Sequence, residues 1–164
     1  MKAIICLLTL MISAVSCHST IENTKTERME NQDILNSVKK NDIQGVSKAL
    51  ESGVDVNTAD NNKRSLLLIA TVNQQTEMAR LLVKHGANVN HQADNLDSPF
   101  LYAGASGQTE LVQLFLDHGA RFDLFNRYNG TALIPACERG HVETVRLLTN
   151  TKGFPVDHVN RLGW

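Results

Sequence analysis

The chain is predicted to be an all-α repeat protein, a solenoid of stacked helix-turn-helix units. Three observations predict it. Residues recur in columns 33 positions apart: Ser65, Ser98 and Thr131; Ala70, Ala103 and Ala136; Glu77, Glu110 and Glu143; Leu81, Leu114 and Leu147. Self-similarity at such a period is the signature of a repeat architecture. Within each period the apolar ridges carry helix start and stop signals. Each pair of ridges is too small to bury its own apolar face, so it must stack on its neighbours.

In chain order, Met1 to Ser16 (1–16) reads as an export signal. Lys2 supplies the positive start, and Ala3 to Val15 is an apolar run too short to span a bilayer. The run ends in Ala14, Val15, Ser16 and Cys17, which resembles a bacterial lipoprotein box, and this resemblance implies lipid on Cys17. Ala14 and Ser16 equally satisfy the small-residue pattern for ordinary signal cleavage before Cys17, so lipidation and plain secretion both stay open. The expected location is the periplasm or cell envelope. With His18 rather than Asp after a lipid-bearing Cys, it is the outer membrane, and the lipid is the expected membrane contact.

Residues 17–30 are polar, with Ile21 and Met29 as the sizeable apolar side chains. Such a segment cannot bury enough surface to offset its ordering entropy, and it is expected to be a tether.

Four units follow, over 31–57, 58–90, 91–123 and 124–157. The first is degenerate but supplies Ile34, Ser37, Val46, Leu50, Gly53 and Asn57 in register. Ser65, Ser98 and Thr131 suit N-caps, and Pro99 follows its serine at a first helical position, where its missing N–H costs nothing. Second helices are expected near Asp42 to Ser52, Gln75 to His85, Thr109 to His118 and His141 to Thr149. Gly53, Gly86 and Gly119 close the first three, because glycine accepts the left-handed conformation that ends a helix. Thr58 to Arg64, His91 to Asp97 and Leu124 to Gly130 are polar connectors. Pro135 falls about one turn into its helix, lacks a backbone donor, and should distort that start modestly.

The fourth unit is one residue longer than the others, and 158–164 repeats the start of a fifth. Trp164 and the Leu147 and Leu148 ridge are therefore expected to lie uncovered at the end of the stack, where self-association or continuation into further repeats would protect them.

Several function classes are excluded by composition and spacing. A net charge of −1 argues against a nucleic-acid partner, which needs clustered Lys and Arg. Cys6 and Cys17 lie early, which leaves Cys137 alone in the repeats, where its column with Thr71 and Gly104 predicts a small buried residue. No histidine pair has metal-ligand spacing, so no metal site is expected. The glutamate column lies early in each second helix, where negative charge favours the macrodipole, and it gives no catalytic constellation. Gly104 and Gly107 read as turn residues, without the Lys and Ser or Thr of a phosphate loop, and no cofactor is expected.

The stretch GTALIPACERGHVETVRLL, from Gly130 to Leu148, resembles an ankyrin repeat, with Thr131, Leu133, Ala136, Gly140, His141, Val145, Leu147 and Leu148 on the family pattern. The resemblance implies hairpin fingers at the connectors and a concave binding face made of finger tips and first helices. It also implies a non-catalytic scaffold whose partner is another protein. The family histidine that links repeats is replaced by Leu68, Leu101 and Ile134, which predicts more apolar junctions.

On the implied face fall Asn61, Lys63, Arg64, Asp94, Asn95, Asp97, Arg127, Tyr128, Asn129 and Arg161 from the fingers. Val72, Asn73, Ser106, Glu138 and Arg139 fall there from the first helices. Tyr128 and the arginines are the favoured anchors, since Tyr and Arg are enriched among binding hot spots. The alternatives are a structural section of a longer repeat array, or a redox or hydrolytic enzyme using Cys137.

Overall fold

The inner helices of the second and third units begin where a hydroxyl replaces a missing backbone partner. In the computed structural model, which describes residues 30–164, Ser65 Oγ accepts from the Leu68 N–H at 3.2 Å and Ser98 Oγ accepts from the Leu101 N–H at 3.2 Å. These caps start α3 (Leu66–Val72) and α5 (Pro99–Ala105), the latter with proline in its first turn as expected. The export segment, nearly all of the tether and Cys17 lie outside the described residues. Helix α1 occupies residues 30–39.

The outer helices are α2 (Ile43–Glu51), α4 (Thr76–Lys84), α6 (Thr109–Asp117) and α8 (Val142–Asn150). Asp42 caps α2 by accepting from the Gly45 N–H at 2.9 Å. Glu77, Glu110 and Glu143 each lie in a first turn, where the helix dipole favours them. Gly53, Gly86 and Gly119 follow α2, α4 and α6 at φ of 100°, 88° and 81°, the conformation a Cβ resists.

The inner helices α3, α5 and α7 (Leu133–Glu138) pack in series, as do the outer helices, and each inner helix packs on its own outer partner. One continuous core results, running from Ile34 and Val38 through Leu66, Met78, Leu82 and Phe115 to Leu148 and Phe154. Such an interior stabilises each unit only through its neighbours. Leu68 and Leu101 are buried, while Ile134 is half-buried.

Four expectations need correction. Cys137 is exposed. Its column faces the next inner helix: Thr71 is fully buried, and a Cβ on Gly104 would lie 2.6 Å from the Ala132 Cβ. Cys137 and Ile134 look out from α7, onto whose outer side no further helix packs among the described residues. Leu148 is fully buried and Leu147 partly so, because Phe154 closes the core there, 5.1 Å from Phe122 and 6.5 Å from Phe100 between ring centroids. Trp164 alone of that set is well exposed. Gly104 is a buried residue inside α5 rather than a turn residue, whereas Gly107 turns the chain at φ 71°.

Thr131, finally, does not cap α7 as its serine counterparts do. Its Oγ1 accepts from the Leu133 N–H, two residues on, at 3.3 Å, and Ala132 is the N-cap. In α3 and α5 the first turn closes by the Ile69 N–H on the Ser65 carbonyl and the Tyr102 N–H on the Ser98 carbonyl, each at 2.9 Å. The equivalent residue of α7 is Pro135, which has no N–H, and the helix is six residues long instead of seven.

Candidate protein-interaction surface

Each connector folds into a finger whose tip is organised by one backbone pattern. The Asp60, Ala93, Asn126 and Asn160 N–H groups donate to the carbonyls of Arg64, Asp97, Gly130 and Trp164 at 2.9 to 3.0 Å. The tip residues Lys63, Leu96, Asn129 and Gly163 take φ of 56°, 63°, 58° and 83°. In three fingers a side-chain carboxylate or amide holds the turn from within. Asp60 Oδ1 accepts from the N–H groups of Asn62 and Arg64, Asn126 Oδ1 from Tyr128 and Gly130, and Asn160 Oδ1 from Leu162 and Trp164, all between 2.9 and 3.1 Å. Asp and Asn suit turns for this reason. The second finger has Ala93 in that column and uses Asn95 Oδ1 on the Asp97 N–H instead.

Two ion pairs hold the first two fingers. Lys63 Nζ pairs with Asp94 at 2.8 Å, and Arg64 pairs with Asp60 at 2.7 Å. Burial pushes the Asp60 carboxyl up, but the Arg64 guanidinium and the two turn N–H groups outweigh it and hold the group below the ordinary carboxylate range. Of the expected surface residues there, Asn61 and Asn73 are exposed and Val72 is half-buried. Ser106 is turned inward: its hydroxyl donates to the Tyr102 carbonyl at 2.7 Å and accepts from Gln108.

Toward the third and fourth fingers the pattern changes. Asp97, Arg127, Tyr128, Glu138 and Arg139 converge on one cleft of about 270 Å³ between the fingers and helices α5 and α7. No ion pair among the described residues includes any of these four charged side chains. The Arg127 guanidinium lies 5.0 Å from the Tyr128 ring centroid, a cation–π arrangement. Arg139 donates to the Ala105 carbonyl. Asn95 Nδ2 donates to Asp97 Oδ2 at 2.7 Å, while partial burial lifts the Asp97 carboxyl above its ordinary range, against the weaker field of Arg127. Asn129 meets His158, whose Nε2 is 2.6 Å from the Asn129 carbonyl and whose ring stacks on Phe125 at 4.3 Å. Arg161 bridges to the third finger, its backbone N–H donating to the Tyr128 carbonyl at 3.0 Å.

Tyr102, Leu96 and Asn160 were not among the residues expected from the sequence. Tyr102 and Asn160 line the cleft, and Leu96 stands exposed at the second finger tip. The signal was present for the last two. Asn160 follows Asn126 in the turn-forming column, and an exposed leucine where the neighbouring fingers have lysine and asparagine is a departure that packing does not explain. Cys137 lies on an adjoining, largely apolar groove at the end of the stack with Leu133, Ile134, Glu138, Val156, His158 and Trp164, and Ile134 and Glu138 border both.

The architecture is that of a helical repeat stack presenting a cleft on its finger side. A family model described as ankyrin repeats in three copies matches residues 34–126 and 88–161, and the chain belongs to the ankyrin-repeat family. It is 30% identical over 132 residues to YahD of Escherichia coli (strain K12), a protein named for ankyrin repeats, covering 80% of this chain and 66% of YahD. The solved structure of EF0377, an ankyrin repeat protein, matches with a TM-score of 0.77 at 36% identity, covering 80% of this chain and 67% of that one. An ankyrin repeat domain of Acinetobacter baumannii AYE matches with a TM-score of 0.76 at 42% identity, covering 80% of this chain and 66% of the domain. The chain thus spans about two thirds of the length of these relatives.

Proposed function

We propose that the chain is a non-catalytic scaffold that binds another protein through the finger side of the stack, centred on the Arg127 and Tyr128 cleft. One observation carries this reading: Asp60, Lys63, Arg64 and Asp94 pair with one another, whereas Asp97, Arg127, Glu138 and Arg139 gather in a cleft beside an exposed tyrosine without ion pairs among the described residues. Charged groups without ion-pair partners around an aromatic anchor are what a partner surface uses. Lys63, Arg64, Asp94 and Ser106 hold the fold's own shape and belong to the rim at most.

Export to the cell envelope, with lipid on Cys17, is the location that the first 17 residues support. Cys137 does not fit a nucleophile's setting, since the imidazole on its groove, His158, is engaged with the Asn129 carbonyl and the Phe125 ring. A second reading, a structural section of a longer repeat array, is favoured by the apolar end groove and exposed Trp164. The length of the intact gene product decides that one.

The test is affinity capture from the envelope fraction with wild type and with Arg127→Ala plus Tyr128→Ala. The expected result is a partner retained by wild type and lost by the double variant, and an unchanged partner list removes the cleft from the interface. Mass measurement of the mature N-terminus tests lipidation separately.

A further inference from the structure

Resting on that reading, the bonds between neighbouring fingers show which element holds Tyr128 in place. Three consecutive carbonyls of the third finger tip are bonded from the fourth finger. His158 Nε2 donates to the Asn129 carbonyl at 2.6 Å, the Arg161 backbone N–H to the Tyr128 carbonyl at 3.0 Å, and the Arg161 guanidinium to the Arg127 carbonyl at 3.4 Å. The His158 ring also stacks on Phe125, 4.3 Å away between centroids. The first two fingers repeat the leading pair of these bonds: His91 Nε2 donates to the Lys63 carbonyl at 2.9 Å and the Asp94 N–H to the Asn62 carbonyl at 3.1 Å. Between the second and third fingers neither bond is made among the described residues. Leu124 stands in the histidine column there, and Gln92 Nε2 links the two fingers through the Phe125 carbonyl at 2.9 Å. The cleft spans this sparser junction, with Asp97 from the second finger and Arg127, Tyr128, Asn160 and Leu162 from the third and fourth.

We propose that the third and fourth fingers act as one piece in binding, and that His158 is the positioning residue that sets Arg127 and Tyr128 for the bound protein. His158 lines the end groove and not the cleft, so it acts through the third finger tip rather than by touching the partner. Bonds to the carbonyls of residues 127–129 fix the peptide planes from which those two side chains project. A tip held in its binding conformation before the partner arrives has less ordering left to lose.

The probe is a library of end-blocked random peptides selected on the immobilised full chain. Peptides that Tyr128→Ala no longer binds are kept, and their affinities are measured by fluorescence anisotropy. His158→Ala is expected to weaken them about fivefold, the effect of one lost hydrogen bond. His158→Gln offers an N–H at similar reach and should recover most of the loss, whereas His158→Phe keeps a ring on Phe125 without the donor and should not. His91→Ala breaks the matching bond between the first two fingers, away from the cleft, and should leave affinity unchanged. An equal loss with His91→Ala would mean general loosening of the stack. Unchanged affinity with His158→Ala, or no recovery with His158→Gln, would mean that the bond does not set the tip. Each of these results overturns this inference and leaves the scaffold reading standing, whereas a library that yields no Tyr128-dependent peptide overturns both.

Discussion

A Cβ built on Gly104 would sit 2.6 Å from the Ala132 Cβ and 3.1 Å from the Ala132 carbonyl oxygen, so α5 and the start of α7 meet where the helix has no side chain. Helix propensity alone says that Gly104→Ala should stabilise α5 by about 0.5–1 kcal/mol. The contact says the reverse, because backbone has to move, and overpacking of this kind costs about 1–3 kcal/mol. Gly104→Ala is therefore expected to lower the midpoint of urea unfolding. An unchanged or higher midpoint would show that the two units slide apart freely.

What the sequence made legible, and what it did not, follows from the kind of information a column carries. Ser65, Ser98 and the three closing glycines act on their own helix, so the starts of α3 and α5 and the bounds of α2, α4 and α6 could be read to within about two residues. A column does not say whether a neighbour is present. Thr71, Gly104 and Cys137 share one place in three units, yet the first two are buried and the third is exposed. The surface was legible as a set of tips. The division of that surface was not, because Lys63 and Asp94 pair across fingers and such pairing depends on side-chain reach rather than periodicity.

That exposure of Cys137 is directly measurable. In a variant with Cys6 and Cys17 replaced by serine, Cys137 should react with a thiol reagent in native buffer as fast as in denaturant. Thr71→Cys, placed in the same column but fully buried in the stack, should be protected until the chain opens. Protection of Cys137 in the native protein would mean that its face is covered in solution.

The two half-buried finger acids should respond to pH in opposite directions. Asp60 titrates below its ordinary value of 3.8 when folded, so its charge stabilises the fold above that value and the contribution is lost as pH falls through the folded pKa. Asp60→Asn should cost about 1 kcal/mol at neutral pH and little in strong acid. Asp97 titrates above 3.8 when folded. Its protonated form is the one the fold favours, fully so below 3.8, and that advantage disappears as pH rises through the folded pKa. Asp97→Asn should therefore raise the melting temperature at neutral pH and make no difference well below 3.8. Equal effects of both substitutions across the pH range would contradict the two environments described.

Leu96 occupies the left-handed tip position at φ 63° with 45% of its surface exposed. A side chain there costs about 1 kcal/mol, and asparagine tolerates the conformation better. Asn129 already fills the same place in the third finger, at φ 58°. Leu96→Asn is expected to raise stability by about 0.5–1 kcal/mol in chemical unfolding. A loss instead would mean that the leucine contributes packing that its exposure does not reveal.

Pro135 makes a subtler prediction, because two effects of similar size oppose each other. Replacing it with alanine restores an N–H that can bond the Thr131 carbonyl, as Ile69 and Tyr102 bond Ser65 and Ser98, and this contributes about 0.5–1.5 kcal/mol. The same change frees the unfolded chain, which costs about 0.4–1 kcal/mol. Net stability should therefore move by less than about 1 kcal/mol, whereas the start of α7 should extend toward Thr131. Pro135 lines the cleft beside Arg127 and Tyr128, so a longer α7 reshapes the site without loosening the stack. The measurement is hydrogen exchange at the new residue 135 amide together with binding of a cleft-dependent peptide. Slow exchange with altered affinity is expected, and fast exchange would mean that something other than the missing N–H shortens α7.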